Sequence, residues 1–114
     1  MSGGYVFQVS MDVAPEKEDL FNEVYDTEHV PLLLKVPGVR KVTRMKAQDF
    51  QVRLAGELKD VAVEAPTWTA MYEIDSPDVL ASAAWGEAVE QGRWPGEVRP
   101  HTFERHHKLF RKLE

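Results

Sequence analysis

Apolar residues alternate without interruption at the start of the chain, where Tyr5, Phe7, Val9, Met11 and Val13 stand between Val6, Gln8, Ser10 and Asp12. A period of two belongs to a strand with one face against a core, so a strand is predicted over Tyr5–Val13. The period then lengthens. Leu20, Phe21, Val24 and Tyr25 recur at spacings of three and four, which makes the inward stripe of an amphipathic helix. Pro15 suits its first position, and Glu16, Glu18 and Asp19 put negative charge where the helix dipole favours it. Pro31 has no N–H and restricts Val30 before it, so a kink or a fresh helical turn is expected at or just beyond His29. The apolar residues Leu32 to Val36 then run into Pro37-Gly38, a helix stop and a turn. A second strand is expected over Val39–Lys46.

Residues 47–66 read as a hairpin or a lid: Phe50, Val52 and Leu54 alternate, and residues 56–60 resemble a turn. A clear strand returns at residues 67–74, with Trp68, Ala70, Tyr72 and Ile74 on one face and Thr67, Thr69, Met71 and Glu73 on the other. Ser76-Pro77-Asp78 supplies an N-cap, a first-turn proline and a first-turn acid in order. The helix it opens is expected to reach about residue 91, burying Leu80, Ala81, Ala84, Trp85 and Ala88 and ending at Gly92. After the turn-rich residues 93–100, Thr102–Arg111 reads as the last strand. The order is ferredoxin-like βαββαβ, an α+β fold with a four-stranded antiparallel sheet and two helices on one face. The helices should cover Tyr5, Phe7, Val9 and Trp68, leaving Val6, Gln8, Ser10, Thr69 and Met71 to water or to another sheet.

At 114 residues the chain has room for a single domain over residues 1–114 and no second core. Its 43% hydrophobic and 29% charged residues are the mixture of an ordinary globular protein. The absence of cysteine excludes disulfides, thiolate metal sites and a cysteine nucleophile, and suits a reducing cytoplasm. A formal charge of -5 disfavours nucleic acid and anionic membranes. The basic segment from Arg105 to Lys112 is interleaved with Leu109 and Phe110 and reads as an exposed strand rather than a nucleic-acid arm. Apolar runs such as Leu32 to Leu34 fall far short of the roughly 20 residues of a membrane span, and Met1-Ser2-Gly3-Gly4 does not resemble a secretion signal.

The segment YDTEHVPLLLKVPGV, residues 25–39, resembles the helix-one signature of the EthD-like branch of the dimeric α+β-barrel superfamily. Tyr25, His29, Pro31, Pro37 and Gly38 carry the match. The motif covers about 15 residues, while the order of elements agrees over nearly the whole chain. The insertion after Lys46 departs from the simplest family pattern. The resemblance implies a homodimer, with two sheets packed face to face across a twofold axis, and a small organic ligand; alternation alone equally permits a monomer.

Candidate chemistry centres on His29. Phe21, Tyr25 and His29 form an i, i+4, i+8 row, placing the imidazole at the edge of the inward stripe beside Pro31. A histidine there can act as general acid or base near neutral pH, with Asp26 or Glu28 assisting, or it can simply pack the helix end. On the last strand Phe103, Arg105, His107 and Leu109 are expected to share a face, with His106 and Glu104 opposite. Arg105 would hold an anionic group or developing oxyanion with His107 facing the pocket, or the face is merely solvated. Trp68, Tyr72 and Trp85 are expected between sheet and second helix, as plain core or as the flat lining of a ligand pocket. No metal is expected, since His101, His106 and His107 lack the helical spacing of a metal pair. GxGxxG, GxxxxGK[ST] and GxSxG are missing, so no nucleotide cofactor is implied. Haem-degrading relatives use a histidine on the second helix, and residues 76–91 contain none. Three functions follow: a cofactor-independent isomerase or cyclase with His29 as acid or base, a cofactor-independent monooxygenase, and a non-catalytic ligand-binding or accessory dimer.

Overall fold

The computed structural model describes residues 4–113. Its centre is an antiparallel sheet in the order β2-β5-β1-β6, formed by β1 (Tyr5–Val13), β2 (Val39–Lys46), β5 (Trp68–Ile74) and β6 (Thr102–Arg111). Both central strands pair on each side, β1 with β5 and β6, and β5 with β1 and β2. This is the ferredoxin-like order that the strand pattern predicts.

The first helical stretch passes through Pro31 without a stop. A 3-10 turn (Pro15–Lys17) leads into α1 (Glu18–Val24), a π turn (Tyr25–His29) and α2 (Val30–Leu34). Because Pro31 offers no N–H, the ladder is re-spaced just before it: the Val30 N–H reaches back to the Tyr25 carbonyl. Of the kink or fresh helical turn expected, the second is seen: one widened turn leads into α2, and His29 keeps helical dihedrals of φ -64 and ψ -51. Such single π turns insert a residue into a helix and re-aim the side chains beyond it. Here the row of Phe21, Tyr25 and His29 stays directed into the interior, at 0%, 3% and 5% exposure.

The second helix is shorter than residues 76–91. Ser76 Oγ accepts from the Asp78 N–H at 3.2 Å and opens a 3-10 turn (Pro77–Val79), and Ser82 Oγ accepts from the Trp85 N–H at 3.1 Å and opens α3 (Ala83–Ala88). Two capping serines divide the expected helix, because a serine at an N-cap competes with the helical ladder behind it. Ala81, between the pieces, is exposed rather than buried. Residues read as turns after Gly92 also contain a π turn (Trp94–Val98) and a 3-10 turn (Arg99–His101), which bury Trp94 and Val98.

Residues 47–66 form a hairpin beside the main sheet, β3 (Phe50–Leu54) paired with β4 (Glu57–Val61). Its turn is confined to Ala55 and Gly56, both at positive φ (52 and 80), as a two-residue hairpin requires. Residues 57–60, read from sequence as turn, belong to the returning strand.

The helices cover Phe7, Val9, Tyr72 and Trp68, and the core between the layers includes Phe21, Val24, Leu33, Ile74 and Val98. The register along β6 corrects one expectation. Ser10 pairs with His106 but Asp12 with Phe103, so β6 carries one extra residue there, and Glu104 sits at φ 52. Such a bulge reverses the alternation of side chains. Arg105, His107 and Leu109 therefore face the helices, whereas Phe103 joins His106, Lys108 and Phe110 on the open face. Among the described residues no helix is long and apolar enough to cross a membrane.

Candidate functional site

A cavity of about 410 Å³ lies between the helical layer and the β1–β6 side of the sheet. Phe7, Val9 and Met11 form its floor, and Tyr25, His29 and Leu33 descend from the first helical stretch. Trp85 closes one flank and Trp94 another. His29 lies at the buried end, while Arg105 and His107, on exposed edge strand β6, stand at the mouth with Arg99.

Six of the seven residues singled out from sequence line this cavity: Tyr25, His29, Tyr72, Trp85, Arg105 and His107. Trp68 does not. Its ring packs against Phe21 at 5.7 Å and lies near the Arg44 guanidinium, on the far side of Tyr25 from the cavity. It belongs to the contact with the first helix, not the second, because its position at the start of β5 places it beneath α1. Sequence reasoning missed Trp94 and Arg99. Pro95-Gly96 beside them reads as a breaker pair, which hides a compact turn with a buried ring.

The imidazole of His29 is stacked on Trp94 at 4.3 Å with 20° between planes, and Tyr25 meets it edge-on at 5.1 Å. Its Nδ1 is buried and finds no hydrogen-bond partner among the described residues. Burial, reinforced by the charges of Arg99, Arg105 and Arg44, pushes its pKa down to about 4, so the ring is neutral at neutral pH. Neither Asp26 nor Glu28 assists it. Asp26 pairs with Arg44 at 2.8 Å, and Glu28 turns outward to accept from the Arg93 N–H at 2.9 Å and from Arg93 Nε at 2.6 Å.

That outward contact has a structural use: it ties the π turn of the first helical stretch to the residue preceding Trp94. Glu28 thereby sets the position of the ring that stacks on His29. The Arg93 hydrogen bonds hold the Glu28 carboxyl below its usual range.

Behind His29 the Tyr25 and Tyr72 hydroxyls share a buried hydrogen bond of 3.1 Å. Burial raises both phenols above their usual range, so both remain neutral. Arg44 lies over the Tyr25 ring at 4.3 Å and is held there by Asp26 and Asn22. At the mouth Arg99 is engaged by Glu90 at 2.8 Å and by the Val89 carbonyl. His107 stacks on Phe7 at 5.8 Å, and burial together with Arg105 lowers its pKa. Among the described residues no Asp or Glu lines the cavity.

These features define a ferredoxin-like α+β domain with an aromatic, cation-rimmed cavity around a neutral histidine. No protein-family model and no curated protein matches the sequence. Solved structures match the fold. An ethyl tert-butyl ether D (EthD) family protein from Bacillus halodurans superposes with a TM-score of 0.59 at 15% identity, over 96% of this chain and 99% of that one. An antibiotic biosynthesis monooxygenase-like protein from Bordetella bronchiseptica superposes with a TM-score of 0.61 at 17% identity, over 97% of this chain and 99% of that one. The chain shares the ferredoxin-like fold of these members of the dimeric α+β-barrel superfamily, as the resemblance at residues 25–39 implies.

Proposed function

We propose that the chain binds a small organic molecule in the cavity beside His29 and moves a proton within it, without a bound cofactor. The carrying observation is the pairing of a neutral, buried imidazole with a cavity of about 410 Å³ walled by aromatic rings. That volume lies within the range of small-molecule sites, and flat rings suit a flat ligand. A histidine with a pKa near 4 begins as the base, not the acid. The arginines that oppose an imidazolium also favour an enolate or phenolate, so the ion pair formed by proton transfer is less disfavoured than the imidazolium alone. The proton taken from an acidic C–H returns to a different position of the same anion, which is an isomerisation; where the carbanion first adds to a carbonyl carbon of the same molecule, the proton returns to the alkoxide so formed, which is a cyclisation.

The test is deuterium wash-in. Aromatic ketones and lactones are incubated with the protein in D2O, and exchange at the carbon next to the carbonyl is followed by NMR. Exchange should fall at least tenfold in His29→Gln while far-UV circular dichroism is unchanged. Undiminished exchange in that variant removes His29 from the reaction. A second reading, cofactor-independent monooxygenation of an electron-rich phenol, is favoured by the name of the Bordetella neighbour. Oxygen uptake with such a phenol separates it from proton transfer. If neither exchange nor uptake occurs across a broad set while ligands bind, the chain is a non-catalytic binding protein.

The homodimer implied by the family resemblance is part of this proposal. The open face of the sheet leaves Met45, Phe103 and Phe110 at 39%, 50% and 43% exposure, and a second copy of that face would cover them.

A further inference from the structure

Resting on the reading of the cavity as a small-molecule site, we propose its ligand class: a planar aromatic acid with a hydroxyl at the end remote from its carboxylate. The carboxylate sits at the mouth against Arg105 and His107, and the hydroxyl hydrogen-bonds to Nε2 of His29, the ring nitrogen that is not sealed among protein atoms. Three independent features of the cavity lead there.

The first is charge. The chain is acidic overall, at -5, yet among the described residues the cavity lining contains two arginines and no carboxylate. Arg99 is already committed to Glu90, whereas Arg105 has neither an ion pair nor a hydrogen bond among the described residues. A guanidinium left unpaired at the rim of a concave site recognises an anion, and its planar fork fits a carboxylate. Cationic ligands are disfavoured by the same field.

The second is the inner end. His29 lines the cavity though only 5% exposed; its Nδ1 is sealed among protein atoms, so the nitrogen a ligand can reach is Nε2, which makes no hydrogen bond among the described residues, whereas polar atoms taken out of water are nearly always hydrogen-bonded. A pure hydrocarbon would leave it unmet. A hydroxyl can meet it, donating when the ring proton is on Nδ1 and accepting when it is on Nε2. The third is the space between. Trp94, Trp85 and Phe7 present ring surfaces around the cavity, so the body joining the two polar ends is flat and apolar.

The experiment compares three probes by fluorescence titration at pH 7.5: 6-hydroxy-2-naphthoate, its neutral carboxamide, and 2-naphthoate. The hydroxy acid should bind about tenfold more tightly than the amide, as a charge-assisted bond at an exposed site provides, and about fivefold more tightly than the acid lacking the hydroxyl. Arg105→Gln should bring the acid down to the level of the amide, and Arg105→Lys should restore part of the difference. The probe comparison uses the unaltered protein and stands whether or not the variants fold. Equal binding of acid and amide, or a preference that survives Arg105→Gln, overturns the ligand class and leaves the small-molecule reading intact. Equal binding of the two acids overturns the hydroxyl's role at His29. Failure of all three probes to bind overturns both readings together.

Discussion

Mild acid should loosen this fold, and the separable part of that loss is carried by His29. In the native chain His29 takes up a proton only near pH 4, whereas in the unfolded chain it does so near its ordinary value of about 6.5. Between those values the unfolded state binds more protons than the native state, so stability falls as pH falls. At pH 7 and above both states are neutral at this position and His29 contributes no pH dependence. The linkage integral gives a loss of about 2 kcal/mol by pH 5 and about 3 kcal/mol by pH 4. Marginal stabilities of 5–15 kcal/mol make that a visible fraction. The assay is urea denaturation from pH 7.5 to pH 4, followed by tryptophan fluorescence, on the native sequence and on His29→Phe. Phenylalanine keeps a ring to stack on Trp94 and removes the titrating group and the unpartnered nitrogen. At pH 7.5 the two should agree within about 1 kcal/mol, since the lost ring nitrogens make no hydrogen bond among the described residues. Below pH 6.5 the variant should become progressively the more stable, by the amounts given. Parallel pH profiles for the two proteins would refute the reasoning, because other acids titrate identically in both.

Three further outcomes are expected. Gly38, at φ +93, would place a Cβ 2.5 Å from Val79 Cγ2, a buried methyl, so Gly38→Ala should lower stability by about 2 kcal/mol in thermal or urea unfolding; a loss under 0.5 kcal/mol contradicts the packing described. Glu28→Gln should release the Arg93 contact and let Trp94 move from His29, giving a red-shifted emission and weaker binding of aromatic probes, while unchanged emission and affinity would deny Glu28 its positioning role. Sedimentation at about 10 μM should show a dimer that dissociates in the double variant Met71→Lys and Phe110→Lys with its circular dichroism intact, and a monomer in the unaltered protein would remove the face-to-face pairing.

Much of the fold was legible because period-two and period-3.6 patterns are set by burial, which the sequence records directly. The first two strands match in both bounds for that reason, Tyr5–Val13 and Val39–Lys46. Features that depend on a single backbone choice were not legible. The bulge at Glu104 uses a residue with no preference for positive φ, so nothing in HTFERHH announces that Phe103 and Arg105 face opposite ways. The two helical stretches failed differently. Pro31 announces a disturbance, but whether the ladder breaks or widens depends on packing around Tyr25 and His29, and here it widens. Ser82 is a capping residue only because its own backbone turns extended, at φ -75 and ψ 153, which its side-chain type permits but does not dictate.

The candidate site followed the same division. His29, Tyr25, Tyr72, Trp85, Arg105 and His107 converge on one cavity because strand and helix periodicities fix their directions. Trp68 was assigned to the wrong helix, since alternation gives its face of the sheet but not which helix lies above it. Trp94 and Arg99 were invisible because Trp94-Pro95-Gly96 reads as loop, and a π turn leaves no 3.6-residue period to detect.

The most direct measurement is a titration of 15N-histidine-labelled protein with 6-hydroxy-2-naphthoate, following the ring nitrogens of all four histidines. His29 Nε2 should shift by several ppm as the probe fills the cavity, His107 should shift less, and His101 and His106 should stay in place. A saturable binding curve that leaves His29 unmoved would put the ligand elsewhere and contradict the assignment of this cavity as the site.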